Sequence, residues 1–319
     1  MKSSFRPTAT LEKLRQRAEI LRKIRHFFES RQFLEVETPI LSADTVVDRH
    51  LDPMTVKLGG KRYFLQTSPE FGMKRFLAAF PDVPIWQMGH VFRKEERGTL
   101  HNPEFTMLEY YRPGDDGVRG INFLDEFQQA ILARGMASRK TYRQVFEEVL
   151  QLNPHTASIA ELADVARQRN LTIPEGFEES ETGNRDDWLD FLLSETIQPQ
   201  LGWESPLILY DFPATQAALA ITRGDVAERF ELYVQGMELA NGYHELGDAR
   251  ELRRRNKVAN ALRRLDGKEI LPDESRLLAA MEVGLPACAG TAVGVDRLVM
   301  IATGAKTIDE ILAFPWERA

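Results

Sequence analysis

The apolar positions of the chain follow two periods. Leu11, Leu14, Ala18, Leu21, Ile24 and Phe28 recur at helical spacing with Arg and Lys between them, which predicts an amphipathic helix of about five turns. Phe33 to Thr38 then alternates, which predicts a strand closed by Pro39. Runs at Tyr63–Leu65, Pro84–Phe92 and Glu104–Arg112 predict three more strands, the last bounded by Pro103 and Pro113. Pro113-Gly114-Asp115-Asp116-Gly117 is a turn signal. Residues from about 121 to 200 read as mainly helical, broken by an acidic loop from Glu175 to Asp187. Leu207–Tyr210 and Phe230–Glu245 read as strands, Glu251–Leu265 as an Arg-rich helix, and Gly294–Ala302 as the start of a final helix. The early strands are separated by turns and not by crossover helices. The expected fold class is therefore α+β, a mainly antiparallel sheet flanked by helices. With no repeat and no clear linker, residues 1–319 are expected to form a single domain, with 121–200 a mainly helical insertion.

Composition narrows the function classes only a little. The chain is 43% hydrophobic and 28% charged, ordinary for a globular protein. Its net charge of −7 argues against a main task of gripping long nucleic acid, which needs a basic field. Cys288 is the one cysteine, so neither an internal disulfide nor a multi-cysteine metal site is possible. No apolar run is long enough to span a bilayer, and the start does not read as a secretory signal. A cytoplasmic setting is the expectation.

Candidate chemistry lies on three segments. Alternate residues of a strand share a face, so Phe105, Met107, Glu109 and Tyr111 point one way, as do Asn241, Tyr243 and Glu245. Facing a pocket, this acid–amide–phenol set would suit a cationic amine; facing water, it would be ordinary exposed sheet. The cluster Phe92-Arg93-Lys94-Glu95-Glu96-Arg97 fits either an exposed hairpin loop or an anion-binding loop, since Arg forks onto phosphate oxygens. Gly290, Gly294 and Arg297 precede a helix start, where backbone N–H groups can meet phosphate, but the spacing matches neither the dinucleotide fingerprint nor a P-loop. His101, Glu231 and Glu238 carry no signal alone. The arginines at 250, 253, 254 and 255 fit a solvated helix face or a contact for an acidic partner.

Taken together, these segments resemble the catalytic core of class II aminoacyl-tRNA synthetases, and within them the lysyl enzymes. FLEVETPIL (33–41) resembles the first class II motif, FRKEERGTLHNPEFTMLEYY (92–111) the second, and AGTAVGVDRLVM (289–300) the third, with TSPE and ELANGYHEL between them. The resemblance runs from about residue 11 to 317. It implies ATP and Mg²⁺ as cofactors. Arg93 would hold the α-phosphate and Arg297 the γ-phosphate. Glu95, Asn102, Leu239 and Gly294 would border the nucleotide, His101 its outer phosphates, and Phe105 the adenine. Glu231 and Glu238 would bind Mg²⁺. Ser68, Pro69, Glu70, Glu109, Tyr111, Asn241, Tyr243, Glu245 and Ala292 would surround a lysine-type amino acid. The first motif implies a homodimer.

Two departures refine the expectation. The first amphipathic helix begins within about ten residues of Met1, leaving no room for the N-terminal anticodon-reading barrel of lysyl-tRNA synthetases. Ala292 stands where those enzymes have the middle glycine of GLGIGIDR, and Ser68 where they have the alanine of APE. Both departures resemble a compact family, the elongation factor P–(R)-β-lysine ligases. Their acceptor is a lysine side chain of elongation factor P in place of tRNA. A truncated lysyl-tRNA synthetase-like enzyme using α-lysine is the alternative. A non-catalytic paralogue is disfavoured, because Arg93, Glu95, Glu231, Glu238 and Arg297 are all present.

Overall fold

Alternation along the strands builds a sheet with one apolar and one polar face. A computed structural model describes residues 5–94, 96–177 and 184–319. In chain order its elements are α1 (Leu11–Glu29), β1 (Leu34–Glu35), β2 (Leu41–Ser42), β3 (Thr55–Leu58), β4 (Lys61–Leu65), α2 (Glu70–Ala79), β5 (Ile85–Phe92) and β6 (Glu104–Pro113). There follow α3 (Gly117–Leu132), β7 (Ser138–Thr141), α4 (Tyr142–Leu150), α5 (Ile159–Gln168), α6 (Arg185–Leu192), β8 (Leu207–Pro213) and β9 (Thr222–Arg223). The chain finishes through β10 (Val226–Val234), β11 (Met237–His244), α7 (Ala249–Leu265), α8 (Arg276–Val283), β12 (Cys288–Gly294) and α9 (Val295–Thr303). The main sheet runs β1-β5-β6-β12-β11-β10-β8-β7, with β9 beside β10, and β2-β4-β3 form a small separate sheet. Only the outer pairs β1–β5 and β7–β8 are parallel. This is the expected α+β class.

The apolar face rests on helices. Trp86, Leu108, Tyr110, Val293, Leu232 and Phe230 point toward α1, α3 and α9, where Ile24, Phe28, Phe123, Leu124, Phe127, Leu298 and Val299 meet them. Phe28 stacks on Trp86 with ring centroids 5.0 Å apart. Each such fully buried side chain contributes roughly 1.5–3 kcal/mol. Arg17 of α1 pairs with the buried Asp296 of α9 at 2.5 Å, and Asp296 also accepts the Thr106 N–H at 2.8 Å. These contacts lock the first turn of α9 against β6.

Several elements differ from the sequence expectation. β1 is only two residues long, because the Thr38 N–H turns to the Gln87 side chain instead of continuing the ladder. The span Phe230–Glu245 is two strands around a tight turn at Gln235–Gly236, both with positive φ. β7 was not foreseen; Ser-Arg-Lys-Thr has no alternation, and the strand sits at the sheet edge. α3 packs on the main core, while α4, α5 and α6 share a second core with β8. Of the expected acidic loop, residues 178–183 lie outside the described residues, and Asp186 and Asp187 open α6.

Candidate active site

Strand register sets the polar face in rows. Gln87, Glu109, Ala292, Asn241 and Glu231 are cross-strand neighbours on β5, β6, β12, β11 and β10. The next row is Ile85, Tyr111, Gly290, Tyr243 and Arg229. This face is not exposed sheet. Glu109 is 4% exposed, Tyr111 1% and Glu231 3%. Charged groups this deep must be paired or serve a ligand.

One end of the face is an acidic pocket. α2 opens at Pro69 and points Glu70 into it. The Ser68 hydroxyl donates to Glu109 at 2.9 Å and accepts the Glu70 N–H at 3.0 Å, so it ties helix to sheet. Tyr111 donates its hydroxyl to Glu109 at 3.2 Å. Burial, then Glu70, pushes the Glu109 carboxyl up to about 8. Burial and Glu70 also raise Glu245, against the pull of Lys74. Gly290 must lack a side chain, because a Cβ there would lie 2.2 Å from Glu245 Oε1 and 2.4 Å from the Tyr111 ring. Asn241 donates to Glu231 at 2.8 Å, and its buried Oδ1 has no hydrogen-bond partner among the described residues. That oxygen is an acceptor in want of a donor.

The other end is cationic. Phe105 and Glu109 share the inner face of β6 four residues apart, roughly 13 Å along the strand. The Arg93 guanidinium lies over the Phe105 ring, 5.1 Å from its centroid, and pairs with Glu96 at 3.3 Å. Arg297, on the first turn of α9, meets His101 Nε2 at 2.5 Å and the Glu238 carbonyl at 3.1 Å. Burial and then Arg297 lower the His101 pKa, which favours the neutral ring accepting from the guanidinium. Gly294 precedes this turn and leaves the approach to Arg297 open, with the Leu239 carbonyl beside it. The Leu239 side chain itself belongs to the core, so only its backbone borders the site. Asn102 is buried and bonded within the fold. Its amide donates to the Glu104 carbonyl at 2.6 Å and accepts the Trp316 N–H at 2.9 Å. Glu95 lies outside the described residues.

Glu231 and Glu238 flank the cationic end. Glu231 accepts from Arg229, Tyr233 and Asn241. Glu238 is raised by burial and then by Glu231, against Arg297. Mutual repulsion of this kind marks a pair that a cation would relieve. No set of three or more His, Cys, Asp and Glu is placed to hold a metal among the described residues. Two hard oxygen donors therefore fit a magnesium ion that completes its shell with phosphate oxygens and water, and do not fit a closed zinc site.

A family model described as tRNA synthetases class II (D, K and N) matches residues 3–318. The chain belongs to this family. It is 46% identical to the elongation factor P–(R)-beta-lysine ligase of Pasteurella multocida (strain Pm70), over 99% of this chain and 98% of that one. The ligase of the same name from Vibrio cholerae is also 46% identical, over 99% of each chain. That of Haemophilus ducreyi is 45% identical, over 100% of this chain and 98% of the relative. The segment resembling the first class II motif follows α1 and runs through β1 to the start of β2, the second spans the end of β5, the loop and β6, and the third is β12–α9.

Sequence reasoning missed two charged residues of this class II site. Lys74 is buried beside Glu70, and its signal was the i, i+4 spacing on the helix after TSPE. Arg229 sits two residues before Glu231 on the same strand face and pairs with it. Arginines of the basic helix α7 pair with acids of the same helix and of the segment that follows it. Arg253 bonds Glu274 and Glu282, and Arg254 and Arg255 bond Glu251. Of the four arginines raised as a contact for an acidic partner, Arg250 and Arg254 are exposed.

Proposed function

We propose that this chain forms the adenylate of (R)-β-lysine from ATP and passes the aminoacyl group to a lysine side chain of elongation factor P. The observation that carries the proposal is the single sheet face with Glu70, Glu109 and Glu245 at one end and Arg93 and Arg297 at the other. Buried carboxylates suit an ammonium, and the arginines suit phosphates. The names of relatives matched over nearly full length support the acceptor.

The reaction then runs in two displacements. A carboxylate oxygen of the amino acid attacks the α-phosphorus, the bond to the bridging β-phosphate oxygen breaks, and pyrophosphate leaves. The acceptor amine next attacks the acyl carbonyl, and AMP leaves with the electron pair. Arg93 offsets charge on the α-phosphate and Arg297 on the γ-phosphate, while Phe105 gives the adenine a stacking surface. Glu231 and Glu238 would hold the magnesium ion, which would neutralise phosphate charge. No nucleophilic side chain is needed; holding the two reactants in line supplies much of the rate. We also read residues 1–319 as one domain, working in the cytoplasm as a homodimer. A monomer by sedimentation at micromolar concentration would count strongly against the dimer.

The deciding experiment is mass spectrometry of elongation factor P after reaction with ATP and each lysine isomer. The expected result is one added lysyl mass with (R)-β-lysine. No gain with any isomer, together with charging of tRNA by α-lysine, would replace the proposal with its rival.

Ala292 sits between Glu109 and Asn241 in the sheet register. Its methyl narrows the floor of the pocket, and a β-amino acid carries its amine one carbon further from the carboxylate. Ala292→Gly is expected to shift the kcat/KM ratio toward α-lysine by roughly ten- to two-hundredfold, the value of one methyl-sized change. Ser68 should contribute too, through its hydroxyl, so the single change should shift the preference without reversing it completely. An unchanged ratio would make Ala292 mere sheet packing.

A further inference from the structure

Lys74 lies in the acidic pocket, yet no motif role accounts for it. It follows Glu70 by one turn of α2 and is 2% exposed. Its Nζ is 2.6 Å from Glu70 Oε1 and 2.5 Å from Glu245 Oε2, so it joins α2 to the end of β11. Met73, Leu77, Ile85, Tyr111 and Cys288 pack in the surrounding core. Burial works against its charge, but Glu245 and then Glu70 outweigh burial and keep the ammonium protonated. The other groups that bear on this cluster are Glu109 and Tyr111 on β6, Tyr243 on β11 and Cys288 on β12.

A purely structural link between α2 and the sheet would not need this arrangement. Well-packed apolar residues fill such a place as well as a buried ion pair, and often better. The charge count supplies a reason. Glu70, Glu109 and Glu245 are three carboxylates in one buried pocket, and like charges cannot all ionise there without a cation. A bound lysine-type substrate brings ammonium groups, but before it arrives the carboxyl groups that meet it need another partner to hold them in place. We propose that Lys74 is a positioning residue, a resident counter-ion that clamps one oxygen each of Glu70 and Glu245 and so holds both carboxyl groups in place to receive the substrate's ammonium. The second oxygen of Glu245 lies over Gly290, held in the space the missing side chain leaves. The clamp acts on amino-acid recognition and not on the nucleotide. It rests on the reading of this pocket as the site of a lysine-type amino acid.

The test compares wild type, Lys74→Met, Glu70→Gln and the double variant in amino-acid-dependent pyrophosphate exchange across neutral pH. Lys74→Met is expected to raise the amino-acid KM by roughly a hundredfold, the scale of breaking one buried ion pair. The ATP KM should stay within about threefold, since only uniform binding of the amino acid is lost. The acid limb of kcat/KM for the amino acid should move to higher pH, because Glu245 loses the cation that opposes its burial. If Lys74→Met does not fold, Glu70→Gln against the double variant makes the same comparison with the like-charge repulsion removed. The limb of the double variant should then lie above that of Glu70→Gln. An unmoved limb, a loss shared equally by ATP and amino acid, or a double variant that also fails to fold would overturn the proposal and leave Lys74 a structural residue. Wild-type protein with no lysine-dependent exchange would instead remove the reading of the pocket itself.

Discussion

Arg297→Ala is expected to lower amino-acid-dependent pyrophosphate exchange by roughly a thousandfold or more, the range set by arginines that stabilise phosphoryl-transfer transition states. The guanidinium is held from two sides, by His101 Nε2 at 2.5 Å and by the Glu238 carbonyl at 3.1 Å. It is therefore preorganised, and charge developing on the phosphates meets a donor that need not move. The fold should survive the change. α9 is anchored by Leu298, Val299 and Met300 in the core and by Asp296 against Arg17, none of which touches the truncated side chain. The variant should thus melt within a few degrees of wild type while exchange collapses. Exchange within about tenfold of wild type would remove Arg297 from the phosphate site. Unfolding of the variant would show that its contacts to His101 and Glu238 are structural.

The sequence carried the fold class because turns, not crossover helices, separate the early strands, and because α1 and β6 keep a clean period. The site was legible where chemistry sits on a strand. Glu109 and Tyr111, or Asn241 and Tyr243, are two residues apart, and alternation alone puts each pair on one side. What alternation could not say was which side faced water. Burial of Glu109 and Glu231 required the neighbouring strands and α2, which come from distant parts of the chain. The resemblance to class II enzymes, not periodicity, joined the segments into one site.

The misses have physical causes too. The hairpin between β10 and β11 was hidden because Gln235-Gly236 is a weaker signal than Asn-Gly, though both residues take positive φ. Lys74 carries no local signal of its place, since nothing near it in the chain shows that Glu245 meets it from 171 positions away. That the Ser68 hydroxyl joins Glu109 to the first N–H of α2 is visible only once helix and sheet are set side by side.

Glu245→Gln tests the ammonium end with a change of one charge and almost no volume. Glu245 is 4% exposed, so solvent screens it little. Removing one partner of a buried pair costs roughly 3–5 kcal/mol, which corresponds to a loss of a few hundredfold or more in amino-acid affinity. ATP affinity should change far less, because the arginines and Phe105 stand at the other end of the face. The pH dependence adds a sign. A carboxyl accepts an ammonium only when deprotonated, and burial raises Glu245 to about 7 despite Lys74. Wild-type amino-acid binding should therefore weaken as pH falls through neutrality. In the variant the step that belongs to Glu245 should be gone, leaving the one that belongs to Glu109, whose carboxyl is raised by burial, by Glu70 and also by Glu245 itself. Calorimetric titration of both ligands at several pH values separates these outcomes. An unchanged amino-acid affinity would mean that Glu245 serves Lys74 alone and that the ammonium is received elsewhere.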